Sequence, residues 1–439
     1  KWVPALKGAD WDQCTAAVPM PGSVLAAGGA YHLVSSTPVI VYQFNALEYK
    51  NVGGEAPAGG PKDWSSCPGT TTTCSSAGAP VGCFSYSNDA SLLLPSTAMT
   101  GNYRVLGQHG WTEAGLFGAS TAVMGAYITV TATQNDTHVT VSLSTAGKVL
   151  GGGGVTATAG GGKVTLTLQA GDVAEIVADK GKQFDLSGSL VQADKPVQVL
   201  SGIPCINLPA GTPACDHVEE SILPAETLGK RYAVPVPTAP KGNAVAHNVR
   251  FYGNVDGTAL TYNPSKPTKC PATLNAGEVV DCETVNADFE VTGTHEFGVS
   301  TFTLGASMVD PDPNPSPFST YRSKGDPAQS MAVAVEQFRT KYLFLAPDDY
   351  TTSYVDIVGT SDADVVLDGA PITATFKAIG AGPLGIFRVK LGAGQGGAHA
   401  LTSKKPVGIQ VLGYGEYTSY QYPGGLNLEL IAPPPPPPK

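Results

Sequence analysis

The 439-residue chain carries 26 Lys and Arg against 36 Asp and Glu, a net charge of -10, with no basic cluster. It therefore lacks the electrostatic footprint of a nucleic-acid partner, and without an apolar run of spanning length no membrane insertion is expected. With 53 Gly, 36 Pro and only 14% charged residues, the composition predicts an all-β chain of short strands and tight turns, in about three domains by length.

Residues 1–46 read as an N-terminal half unit with two strands, the second being YHLVSSTPVIVYQF from Tyr31. Residues 47–102 form a Cys-rich insertion and connection, with too little apolar periodicity to fold without disulfides. A first full β unit spans 103–205, and a connection at 206–229 leads to a second at 230–308. A Pro-rich linker and connection at 309–339 leads to a third unit at 340–415, followed by a C-terminal strand and polyproline tail at 416–439. The units open at Tyr103, Tyr232 and Tyr342 (NYRVLG, RYAVPVP, KYLFLAP) and turn at NDTHVTV, DGTALTY and SDADVVL. They close on strands aligned at Pro196 and Pro406, as at Pro38 in the half unit, with His295-Glu296 replacing the signature in the second full unit. At least five strands per unit predict tandem antiparallel β-sandwich-like units, with a propeller-like closed array as the alternative. Two strands cannot bury a core alone. The half unit therefore needs a partner, either EYTSYQYPGGLNLELIAP at the C-terminus or residues upstream. MAVAVEQFRT from Met331 is the one candidate for a short helix, and APPPPPPK reads as an extended spacer to further domains.

The motif L-x-A-G recurs at Leu25–Gly28, Leu168–Gly171, Leu274–Gly277 and Leu391–Gly394, after alternating strands where a glycine with positive φ makes a turn. The last copy creates G-x-G-x-x-G at Gly392, Gly394 and Gly397. A dinucleotide loop needs a helix after its glycines, whereas here a Pro-Val strand follows. The Gly151 loop GGGGVTATAGGGK lacks the Ser or Thr and the helix of a phosphate loop, so no cofactor is expected.

Eight cysteines without paired C-x-x-C spacing favour disulfides over metal and an oxidising compartment. Cys205 with Cys215 and Cys270 with Cys282 are spaced to staple single loops, while the pairing of Cys14, Cys67, Cys74 and Cys83 stays open. Asp89, Asp216 and Asp326 precede the full units at matching places, and each is expected to cap its own turn rather than to bind a shared cation. Asp310, Asp312 and Asn314, interrupted by prolines, match a calcium loop poorly. No metal site is assigned.

The stretches SSTPVIVYQFN, DKPVQVLSG, LPAETLGKRYAVP and GDPAQSMAVAVEQFRTKYLFLAP resemble the IgGFc-binding domain family over roughly residues 30–415. The resemblance implies an extracellular or cell-surface, non-enzymatic binding or adhesion module, often beside cysteine-rich domains. The Ala- and Gly-rich composition with a polyproline tail resembles bacterial members.

The leading expectation is a non-catalytic module that recognises an extracellular protein or glycan through loops at repeat junctions. The Cys205–Cys215 loop with Asp216, His217 and Glu219 is the best candidate, because a stapled loop loses less entropy on binding. A carbohydrate-active hydrolase is the first alternative. It needs two carboxylates about 5 to 10 Å apart across a cleft, for which Asp216, Glu219 and Glu220 are the only cluster. With neither G-x-S-x-G nor H-E-x-x-H present, no catalytic residue is assigned. The second alternative is a structural spacer of a cell-surface fibre.

Overall fold

A computed structural model of the protein describes residues 21–44, 89–114, 120–212, 215–316, 319, 321–347, 350–392 and 397–435, together with short strand pairs near residues 12–17 and 74–81. The N-terminal stretch supplies β1 (Val24–Ala26), β2 (Val41–Phe44) and β3 (Ala90–Leu93).

The first unit contains β4 (Asn102–Arg104), β5 (Tyr127–Ala132), β6 (Thr137–Ser142), β7 (Lys163–Leu168), β8 (Val173–Val177), β9 (Leu190–Ala193), β10 (Val197–Ile206) and β11 (Asp216–Ser221). They sort into two sheets, in the orders β11-β10-β5-β8-β1 and β7-β6-β9-β4. Period-two patterning makes each strand two-faced. In β7, Val164, Leu166 and Leu168 point inward while Thr165 and Thr167 face solvent. The inward residues meet Ile128, Val130, Ile176, Val191 and Val199 of the other strands in one core.

The second unit repeats the plan with β12 (Arg231–Val234), β13 (His247–Gly253), β14 (Thr258–Asn263), β15 (Thr273–Leu274), β16 (Val279–Val285), β17 (Phe289–Gly293), β18 (Phe297–Phe302) and β19 (Gln329–Met331). Its sheets are β12-β17-β14-β15 and β16-β13-β18-β19. A one-turn helix, α1 (Ala306–Val309), lies between β18 and β19. The third unit contains β20 (Arg339–Leu345), β21 (Thr352–Thr360), β22 (Val366–Leu367), β23 (Leu384–Lys390), β24 (Ala398–Gly415) and β25 (Thr418–Pro423). The 18-residue β24 runs through both layers, pairing first with β20 and β22 and then with β21 and β25. The expected helix from Met331 is instead the end of β19 followed by a 3₁₀ turn at Val335–Gln337. Pairing also crosses the sequence-based bounds: β1 joins the first unit, and β11, β19 and β25 pair with the strand before each connection.

Two sequence signatures meet in one lock. Tyr103 Oη donates to Val197 O at 2.6 Å and accepts from Thr100 N at 3.2 Å. Tyr232 does the same with Phe297 O at 2.6 Å and Gly229 N at 3.2 Å. Tyr342 joins Val407 O and Arg339 N. The accepting carbonyls follow Pro196, Glu296 and Pro406, so the recurrent Tyr and the recurrent Pro-Val strand are two ends of one buried hydrogen bond.

The first three L-x-A-G motifs are alike as turns, and the motifs differ in place. Gly28, Gly171 and Gly277 have φ of +59°, +85° and +79°. The second and third copies join β7 to β8 and β15 to β16, whereas the fourth follows β23 and leads to β24, with residues 393–396 outside the described set. An added Cβ at Gly171 would meet only the Gly28 Cα, at 4.0 Å. Gly171→Val is therefore expected to lose roughly 1–3 kcal/mol through backbone strain alone, read as a lower denaturation midpoint.

Four closing hairpins gather the chain into a ring: β2–β3, β10–β11, β18–β19 and β24–β25. Their second strands touch in cyclic order, β3 to β11 to β19 to β25 and back to β3. Phe44, Gly202, Phe302 and Leu412 stand opposite Ala90, Glu219, Gln329 and Gln421, the same register four times. The backbone N–H of each of these four second-strand residues donates to the Asp89 carboxylate, at 2.8, 3.0, 2.8 and 3.3 Å in that order. Asp89 is 1% exposed. Burial pushes its pKa well up, against the pull of the N–H donors. The N-terminal hairpin thus packs on the C-terminal strand: the Tyr42 and Tyr422 rings meet tilted at 43° with centroids 4.5 Å apart, and the Tyr42 hydroxyl lies 3.0 Å from Gly424 O.

Candidate functional site

Because the four closing hairpins share one register, their connections turn at one end of the ring. The β10–β11 connection is stapled by Cys205–Cys215, with Cα atoms 5.3 Å apart. Inside it, Asn207 Nδ2 donates to Thr212 O at 3.0 Å and Thr212 Oγ1 to Pro209 O at 2.9 Å, leaving Ala210 and Gly211 exposed. The β18–β19 connection carries α1, with Met308 43% exposed. Gly305 N donates to Leu208 O at 2.7 Å, Gly325 N to Gly415 O at 2.9 Å and Tyr417 N to Ser323 O at 3.1 Å. Three connections are therefore joined edge to edge. The fourth, between β2 and β3, lies mostly outside the described residues.

Asp310 anchors the middle connection. Its carboxylate accepts from Lys241 Nζ at 2.7 Å, Tyr321 Oη at 2.7 Å and Lys324 N at 2.9 Å. Burial opposes its ionisation, and these three donors outweigh burial to hold the carboxyl below the usual range. Asp312 accepts from Asn314 N at 2.7 Å and from Ser319 Oγ. Asp310 thus ties the connection to Lys241, Tyr321 and Lys324, while Asp312 and Asn314 form a local turn with Ser319. Among the described residues no group of three or more His, Cys, Asp and Glu is placed to hold a metal ion.

Asp216, His217 and Glu219 lie on β11 rather than in the stapled loop, and are 0%, 5% and 4% exposed. The His217 imidazole is 2.7 Å from Tyr127 Oη and 3.9 Å from the Glu219 carboxylate, which accepts from Gln43 Nε2 at 3.0 Å. Asp216 accepts from His217 N at 2.8 Å. Burial, then the Glu219 charge, pushes the Tyr127 hydroxyl pKa well up. This polar network ties the N-terminal hairpin to the first sandwich from the inside. Glu220 is fully buried too, and burial followed by the Asp89 charge pushes its pKa well up. The carboxylates proposed for hydrolysis accordingly sit in an interior strand rather than along an open cleft. The three aspartates are not in one register either: Asp216 and Asp326 precede Glu219 and Gln329 by three residues, while Asp89 precedes Ala90 by one. Sequence alternation missed this burial because a strand at the centre of the ring is covered on both faces, so a charged run there mimics a solvated loop.

The second staple, Cys270–Cys282, is formed with Cα atoms 4.6 Å apart, and both half-cystines are buried in the core of the second unit. Cys14, Cys67 and Cys83 lie outside the described residues, and of Cys74 only the strand backbone is described. Glu296, where the Pro-Val signature is replaced, is 4% exposed and accepts from Asn254 Nδ2 at 3.3 Å.

A cavity between the second and third units is lined by His247, Thr301, Phe338, Asp356 and Gln421. Burial pushes the His247 pKa down from 6.5 to about 3, with Asp288 opposing and Arg388 assisting. The folded state holds the neutral ring, so this contribution is complete above pH 6.5 and is lost as pH falls towards 3, reaching about 5 kcal/mol. His247→Gln is expected to flatten that limb of the stability curve, measured as denaturation midpoints at pH 7 and pH 4.

Among the described residues no helix is long and apolar enough to cross a membrane. No solved structure matches the chain. The human IgGFc-binding protein is 34% identical over 146 residues, covering 29% of this chain and 3% of that protein. The chain therefore spans a small part of the relative it matches. The relative is human, and the bacterial setting read from composition gains no support from it. The family profile described as IgGFc binding protein matches residues 89–413, from the axial Asp89 through nearly all of β24, and the chain belongs to that family.

Proposed function

We propose that the chain is an extracellular, non-catalytic module that recognises a protein through the ring end formed by the hairpin connections. The observation carrying this reading is the edge-to-edge joining of three connections, two of them long, with apolar Met308 exposed among them. A rigid β scaffold that presents fused loops limits the ordering cost of binding. Family membership supports a binding role, and the human relative's name makes the Fc region of IgG the first probe. The two observed disulfides, Cys205–Cys215 and Cys270–Cys282, accord with an oxidising compartment.

In this reading Asp216, His217 and Glu219 support the loop from beneath and do not touch the ligand. Immobilised Fc, and a glycan array as the second arm, would be offered wild type and the double variant Ala210→Asp/Met308→Asp. The expected result is retention of wild type on Fc and at least a tenfold weaker Kd for the variant, with unchanged thermal stability. Equal retention of both proteins removes this face from recognition. Wild-type binding to glycans alone would move the ligand class to carbohydrate, and release of sugar products would overturn the non-catalytic reading.

A further inference from the structure

The N-terminal hairpin exposes positions that are core everywhere else in the ring. Leu33 is 65% exposed, whereas its counterparts Val191, Val291 and Leu401 are each 0% exposed. Val39 is 55% exposed, and its counterparts Val197, Phe297 and Val407 are again 0%. Counting five residues on from Val39, Val197, Phe297 and Val407 reaches the four residues that stand opposite Ala90, Glu219, Gln329 and Gln421, so the correspondence follows from pairing as well as sequence.

The complete units display what covers these positions. Tyr103, Tyr232 and Tyr342 of the opening strands pair directly with Val191, Val291 and Leu401. The hydroxyls of the same tyrosines donate to the carbonyls of Val197, Phe297 and Val407. The central strands β5, β13 and β21 pair with the other edge of the closing strand. In the N-terminal hairpin, β2 pairs only with β3, and residues 31–40, with a bend at Ser36–Thr37, have no strand partner among the described residues. Two bare core positions with open edges mark half of a sandwich.

We propose that polypeptide N-terminal to Pro21 completes this half as a fourth sandwich. It supplies an opening strand with an aromatic residue opposite Leu33 and a central strand beside β2. The source follows from chain order: in all three complete units the opening and central strands lie N-terminal to the closing hairpin they cover, within the same unit. The occupant's chemistry follows from the lock, since the Val39 carbonyl stands where three others accept a buried tyrosine hydroxyl. A fourth sandwich deepens the binding proposal by placing the β2–β3 connection at the recognition end on a core like the others. It stands or falls independently of what binds there.

Hydrogen exchange on the native protein with its whole N-terminal polypeptide tests this. Amides of residues 31–40, like those of 190–199, are expected to exchange about a hundredfold or more slower than unstructured peptide. Removing everything before Pro21 should abolish that protection while leaving 197–206 protected, and Leu33→Asp should lower Tm in the native protein. Exchange at 31–40 as fast as in free peptide, or protection that survives the deletion, overturns the proposal. Protection that appears only as concentration rises, together with a dimer in sedimentation, assigns the face to a second copy and overturns it equally. The exchange comparison on wild type decides the matter even if the Leu33 variant fails to fold.

Discussion

Asp89→Ala is expected to cost more stability than any other single truncation in the ring. The carboxylate collects one backbone N–H from each of the four closing hairpins, at Ala90, Glu219, Gln329 and Gln421. Removing it strands four donors at a site 1% exposed. An unsatisfied buried polar group costs about 1–3 kcal/mol, so even with partial rearrangement the loss should be on the order of 5 kcal/mol. That is comparable to the whole margin of a marginal domain. Asp89→Asn keeps one acceptor oxygen and turns an NH2 group towards the remaining donors, so it should fall between wild type and Ala. Denaturant midpoints measure both. A change below about 1 kcal/mol for Asp89→Ala would mean that the axis does not hold the hairpins together.

Arg250→Met should rank second, because it breaks the polar joint between the first two sandwiches. Arg250, on β13, is 4% exposed. Its guanidinium donates to Asp185 Oδ2 at 2.5 Å, to Ser187 Oγ at 3.1 Å and to the Gly107 carbonyl, with Asp281 3.7 Å away. Burial works against the cation, but Asp185 and Asp281 more than compensate and raise its pKa. For Asp185, burial is likewise outweighed by Arg250, leaving its pKa lowered. The contribution of Asp185 is thus present above its unfolded pKa and is lost as pH falls through the folded value. Removing one partner of a buried pair leaves an uncompensated charge and costs about 3–5 kcal/mol. A double-mutant cycle with Asp185→Leu is the check: the double variant should be less destabilised than the two single changes summed. Strict additivity would contradict the joint.

The repeated strands were legible because each unit carries the same local signals. The Tyr-opened strand, the alternating run and the Pro-Val strand read as strands on period two alone, and the locks from Tyr103 to Val197 and Tyr232 to Phe297 explain why those signals recur together. The glycines of L-x-A-G were legible as turns for the same local reason, and their differing places in the sheets were not, since a turn motif carries no information about which strands it joins. Ring closure was only one option in the sequence, because β2 and β3 pair across a connection of 45 residues and the packing of β3 on β25 bridges more than 300. The candidate site divides along the same line. The Cys205–Cys215 staple could be read from its spacing, whereas the burial of Asp216, His217 and Glu219 depends on neighbours from the N-terminal hairpin and the first sandwich. Met308 gave no signal of its own, since one exposed methionine acquires meaning only from the connections around it.

The measurement that bears most directly on the account is a three-way comparison of Fc affinity. Wild type would be set beside the connection-end variant Ala210→Asp/Met308→Asp and a variant at the opposite end, Gln134→Asp, in the exposed turn between β5 and β6. New carboxylates at a desolvated contact weaken binding, while the same charge far from the contact leaves Kd unchanged within error. The account predicts a loss of at least tenfold for the first variant and wild-type affinity for the second. Loss of affinity in Gln134→Asp with none in the connection-end variant would contradict it and place recognition at the other end of the ring.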